Sequence, residues 1–135
     1  MEANKELIRR YTREVFDEGD EDAVDRYLAP DFLNHVTGRT GTEDFKRLAR
    51  ELRGMPGGAN EIDLLVAEGE FVVALMTITR TVTEELPILG FTIPAEGQTY
   101  TVQHVHVYRV VDDRIREHWA VRDDLGMLRQ LGAIH

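Results

Sequence analysis

Val102-Gln-His-Val-His-Val-Tyr-Arg-Val-Val-Asp-Asp-Arg-Ile-Arg-Glu-His-Trp-Ala-Val-Arg122 is the stretch on which the fold turns. Two runs rich in valine, isoleucine and aromatics flank Asp112-Asp113, the chemistry of a tight antiparallel hairpin. Alternation along the first run sets His104, His106 and Tyr108 on one side, with Gln103, Val105, Val107 and Arg109 on the other. The same chemistry recurs upstream about a turn at Glu68-Gly69, so four antiparallel strands are expected over 62–68, 71–83, 98–111 and 114–122. Between the two long strands, 84–97 carries Pro87, Gly90, Pro94 and Gly97 and reads as an excursion placed to cover a pocket mouth.

The N-terminal half has a helical period. Leu7, Ile8, Tyr11 and Val15 mark a first helix, capped by Asn4 and ended by Gly19. Asp20 caps a short second helix bearing Val24, Tyr27 and Leu28, which Pro30 stops before an extended piece over 31–36. Thr40-Gly-Thr-Glu43 matches a capping box ahead of Phe45, Leu48, Ala49 and Leu52, and Gly54 and Pro56 end that helix. A last helix, capped by Asp123 or Asp124, carries Leu125, Leu128 and Leu131 up to Gly132. Helices first and a meander afterwards predict one α+β domain over 1–135, a curved antiparallel sheet packed with N-terminal helices around a pocket.

Composition narrows the function. A chain of 135 residues holds one core, and a net charge of -9 from 25 acidic and 16 basic residues disfavours nucleic acid and anionic membrane as partners. The apolar run over 71–78 is too short to span a bilayer, and MEANKELIRR lacks the hydrophobic core of a signal peptide. With no cysteine there is no disulfide, thiolate metal site or cysteine nucleophile. These readings suit a cytoplasmic protein. No Gly-rich phosphate loop, GxSxG elbow or HExxH occurs.

If Asp112-Asp113 is a two-residue turn, Tyr108 faces Glu117, His106 faces Trp119, His104 faces Val121 and Val102 faces Asp123. Asp123 then lies diagonal to His104 on one side, within reach of a hydrogen bond or a one-water bridge. An imidazole titrating near neutrality beside a carboxylate in an apolar hollow can move protons, with Met76, Tyr108 and Trp119 as walls. The composition is that of a site for proton abstraction next to a carbonyl. Plainer readings stand beside this one: a His-x-His pair satisfied locally, Asp123 as a helix cap only, Trp119 as core, and His118 as structural or interfacial. Three nitrogens from His104, His106 and His35 could bind a metal, yet no carboxylate or cysteine ligand accompanies them and no metal is expected.

The order of motifs resembles the SnoaL-like polyketide cyclases of the nuclear-transport-factor-2-like superfamily. The likeness rests on Asn4–Tyr11, Asp17–Asp20, Leu28–His35, Gly41–Lys46, Val66–Glu70, Tyr108–Val110, Ile115–Trp119 and Asp124–Gly132, nearly end to end. It implies a cone-shaped α+β barrel, a homodimer, a hydrophobic pocket and no cofactor. It also implies an acid/base aspartate at the start of the final helix, where Asp123 stands, assisted by a strand histidine, His104 or His106. His35 matches a polar pocket residue. Two departures leave the substrate open: Pro94-Ala-Glu-Gly97 replaces the family's Pro-Pro-Thr-Gly turn, and Val82 replaces a frequent histidine. The expectation is an enzyme acting on a small apolar carbonyl compound, by proton abstraction and intramolecular aldol cyclisation, with Asp123 as base, His104 polarising the enolate and His106 lining the pocket. The rivals are non-catalytic binding of an apolar ligand, and epoxide or ester hydrolysis, which needs an Asp-Arg-Asp cluster.

Overall fold

The computed structural model describes residues 1–53, 55 and 58–135. Helix α1 (Glu2–Tyr11) runs into a π-helical segment (Thr12–Asp17), then α2 (Glu21–Tyr27), β1 (Leu28–Asn34), β2 (Arg39–Thr40) and α3 (Glu43–Arg53). Strands β3 (Ala59–Glu68), β4 (Phe71–Thr81), β5 (Leu86–Ile88), β6 (Phe91–Ile93), β7 (Thr99–Val111) and β8 (Arg114–Arg122) follow, and α4 (Asp124–Gln130) closes the order. Gly54 and Pro56, expected to end α3, lie outside the described residues.

The expected α+β architecture is present, with two differences in the sheet. Its order is β2-β1-β8-β7-β4-β3, and β1 pairs with β8 in parallel, so the sheet is mixed and open rather than a closed antiparallel barrel. The excursion over 84–97 forms its own small hairpin, β5 with β6. Two caps also move. Helix α1 starts at Glu2, ahead of Asn4, and α3 starts at Glu43 with the Thr42 carbonyl accepting from the Lys46 amide, so Thr40 lies outside the helix.

The helices bury one face on the sheet. Ile8, Tyr11, Val15 and Val24 meet Leu28, Phe32, Val72 and Ile115 in the main core, each burial contributing roughly 1.5–3 kcal/mol for a large apolar side chain. At the end of the π-helical segment, the Glu18 amide reaches back five residues to the Arg13 carbonyl at 2.9 Å. Gly19 ends this run at φ 67°, and a Cβ there would lie 2.5 Å from the Arg53 Cβ, so only glycine lets α3 approach. The sheet's other face is open. Leu64, Val66, Phe71, Val73, Val105 and Val121 are exposed on it, more contiguous apolar surface than scattered residues would give.

The last hairpin holds the decisive detail. Asp112 and Asp113 both have positive φ and make the expected two-residue turn, pairing Val111 with Arg114 and Val110 with Ile115. Arg109 then pairs with Glu117, leaving Arg116 as an extra residue in β8. This bulge shifts the register by one from there on and exchanges the faces of all that follows.

Candidate functional site

A cavity of about 310 Å³ lies between the helices and the inner face of β4, β7 and β8. Met76 faces His104 across the β4–β7 ladder, Ala74 faces His106, and Val72 faces Tyr108. After the bulge, β8 sets Arg122 opposite His104, Ala120 opposite His106, and His118 opposite Tyr108. His104, His106, Tyr108 and His118 therefore line one cavity with Met76, Asn34 and Tyr11.

Four expected positions are corrected by the same shift. Asp123 is not diagonal to His104: its amide donates to the Gln103 carbonyl at 3.2 Å, it is exposed, and its Oδ1 accepts from the Gly126 amide at 2.8 Å as the cap of α4. Gly126 suits this cap, since a Cβ there would lie 2.3 Å from the Asp123 carboxylate. Trp119 lies on the outer face opposite Val107. His35 joins it there, stacked at 4.4 Å and 5° with its Nε2 3.0 Å from Glu117 Oε1. Consequently His35, His104 and His106 are not brought together, and among the described residues no group of three His, Cys, Asp or Glu side chains is placed to hold a metal. His118, read from the sequence as structural or interfacial, is in the cavity wall.

Proton positions in this wall follow from one backbone bond. The Val36 amide donates to Asn34 Oδ1 at 3.1 Å, which identifies that atom as the oxygen. His118 Nδ1 lies 3.0 Å from the same oxygen and must carry a proton to bond it. Burial, with His35 and Arg122 nearby, lowers the His118 pKa to about 4, so the ring is neutral at pH 7 and its Nε2 is a bare acceptor. His106 Nδ1 sits 2.8 Å from that Nε2 and therefore donates to it. Burial, with His118, His104 and Arg122 adding to it, lowers the His106 pKa to about 3. Neutral and protonated at Nδ1, His106 is left with an unprotonated Nε2 that bonds no other described residue.

Neighbouring groups complete the site. His104 is 5.4 Å from His106 between ring centroids, and its pKa falls to about 4 through burial and the charges of Arg122 and Arg80. It is a neutral imidazole with one N–H to donate. Tyr108 stacks on His106 and His118, and burial raises its hydroxyl pKa well above the ordinary tyrosine value. Thr12 is buried in the cavity wall at the π-helical segment, and its hydroxyl has no partner among the described residues. None of the described residues lining the cavity is an aspartate or glutamate. The arrangement offers the bare Nε2 of His106, the one N–H and one bare nitrogen of neutral His104, and hydroxyls in an apolar hollow.

Comparison with known proteins gives this geometry a context. A family profile described as SnoaL-like polyketide cyclase matches residues 6–131. The chain is 31% identical over 124 residues to nogalonic acid methyl ester cyclase of Streptomyces nogalater, covering 87% of this chain and 90% of that protein. Among solved structures, TsrD from Streptomyces laurentii superposes with a TM-score of 0.81 at 28% identity, over 98% of this chain and 96% of the other. A SnoaL-like polyketide cyclase from Agrobacterium tumefaciens shares the fold at a TM-score of 0.78 and 18% identity, over 95% and 97%.

The relay predicts the effect of a carboxylate at its far end. In Asn34→Asp, the new charge favours protonated His118, and the midpoint of its ring titration rises from about 4 to above the ordinary histidine value. Proton NMR titration of the imidazole C–H signals reads this shift; an unmoved midpoint contradicts the contact.

Proposed function

Because the chain belongs to the SnoaL-like polyketide cyclase family, we propose that it closes a ring in a polyketide-like carbonyl compound by acid/base chemistry, with His106 as the base. The observation that carries this reading is the unprotonated Nε2 of His106, left by the chain of bonds from Asn34 through His118. His106 Nε2 takes a proton from a carbon between two carbonyls, and the C–H electrons move onto the neighbouring oxygen. The N–H of His104 donates to that enolate oxygen. The enolate carbon then attacks a second carbonyl of the same molecule, and the resulting alkoxide recovers the proton from His106. A base with so low a pKa demands an acidic carbon, which a carbon flanked by two carbonyls supplies.

Asp123 holds the role in the sequence reading, but its place at the exposed cap of α4 supports a structural part. Hydrolysis through an Asp-Arg-Asp cluster has less support, since Arg109 bonds Glu117 on the outer face and the described cavity wall has no carboxylate. Non-catalytic binding would use the same cavity and yield no product. The test is solvent deuterium uptake and ring closure on an aryl β-keto ester carrying a second carbonyl. His106→Gln is expected to lose about 10²- to 10⁴-fold in rate, while Asp123→Asn stays within about threefold of the parent with a slightly lower melting temperature. The reverse ranking contradicts the assignment of the base.

We propose in addition that two copies pair through the open face of the sheet, which exposes Val73, Val105 and Val121. Light scattering on the eluting protein is expected to give a dimer that Val73→Lys with Val105→Lys converts to monomer. A monomeric parent at micromolar concentration contradicts this.

A further inference from the structure

The cavity has a charge opposite to that of the whole molecule. The chain carries a net charge of -9, yet the charged side chains in its described wall are Arg80 and Arg122, and the three histidines there are neutral at pH 7. Burying a cation in an apolar hollow costs free energy unless an anion or a full set of hydrogen bonds compensates it.

Arg80 has only part of that compensation. It extends from the inner face of β4 opposite Tyr100, half-buried. Its Nη1 donates to the Thr79 carbonyl at 2.9 Å and the Ala59 carbonyl at 3.2 Å, and its Nη2 donates to Asn60 Oδ1 at 2.7 Å. Among the described residues these bonds engage three of the five guanidinium N–H groups, leaving the Nε–H and one Nη2–H without a partner there. The nearest countercharge in this network is Asp17, held one residue away because its carboxylate accepts from the Asn60 amide at 2.9 Å. Burial pulls the Arg80 pKa down, with Tyr100 and Asp17 opposing. Arg122, opposite His104, has Asp124 at 3.8 Å.

Arg80 stands four residues along β4 from Met76, the partner of His104. That separation is about 13 Å of strand. An anion held by Arg80 is thus remote from the reacting carbon, at the other end of an elongated body.

We propose that the substrate is a free acid, an elongated apolar carbonyl compound whose carboxylate binds the open N–H groups of Arg80 while its reacting carbon lies at His104 and His106. This deepens the proposed cyclase reading by naming the substrate class. A carboxylate accepts two N–H bonds from a guanidinium at once, and its charge supplies the countercharge that the described wall lacks. An ester at that position accepts more weakly and leaves the cation uncompensated. The proposal separates this chain from its relative in Streptomyces nogalater, whose name specifies a methyl ester.

Binding measured without turnover tests it. Anthraquinone-2-carboxylate and its methyl ester are titrated into the full chain by calorimetry at pH 7. The acid is expected to bind at least tenfold more tightly than the ester, and Arg80→Met to remove that preference by weakening the acid at least tenfold more than the ester. His106→Gln is expected to keep the acid's preference, so failure of the base assignment and failure of this proposal are told apart. Arg80→Lys, which retains charge but not the fork, is expected to keep part of the preference and guards against a folding defect in Arg80→Met. Equal binding of acid and ester, no binding of either, or an acid preference that survives in folded Arg80→Met overturns the proposal.

Discussion

The amide of Val36 donates to Asn34 Oδ1, and the direction of that one bond propagates through two imidazoles to the middle of the cavity. Each neutral ring has one donor and one acceptor, so fixing the first nitrogen fixes the next three. Burial supplies the other half of the constraint by keeping the rings uncharged. A protonated His118 would carry hydrogens on both nitrogens and turn the chain around. The low pKa values and the proton order are one arrangement, which holds His106 Nε2 free for a ligand.

This arrangement depends on an irregularity in β8. Without the extra residue at Arg116, Trp119 would face His106, and His118 would be on the outer face opposite Val107, where Trp119 now is. The bulge exchanges an indole for an imidazole in the wall. It also carries Asp123 out of the cavity and into the first turn of α4, where it serves the helix.

Much of the architecture was legible in the residues. Period-two runs placed the long strands, helical spacing placed Ile8, Tyr11 and Val15, and Asp112-Asp113 marked its turn, because each is a local preference repeated over several residues. The site was legible on one strand only. His104, His106 and Tyr108 share a face by alternation alone, and they line the cavity together. Their partners on β8 required the register, and nothing in Arg114-Ile-Arg-Glu-His118 distinguishes a bulged from an unbulged strand. Asn34 and Arg80 were out of reach for a related reason: their importance comes from contacts with residues 84 and 20 positions away. The parallel pairing of β1 with β8 is likewise a long-range choice that local propensity does not encode.

The electrostatics run inward in sign. An acidic surface surrounds a cavity whose charges are guanidinium groups, with neutral histidines between them. Positive potential there favours an enolate over its parent ketone and adds to burial in keeping the imidazoles unprotonated, Arg122 acting on all three rings and Arg80 on His104. The central claim is the protonation state of His106, and nitrogen-15 NMR of the labelled protein at pH 7 measures it directly. The account predicts a proton on Nδ1, a bare Nε2 and no titration of that ring down to pH 5. A proton on Nε2, or a titration midpoint near 6.5, would contradict it.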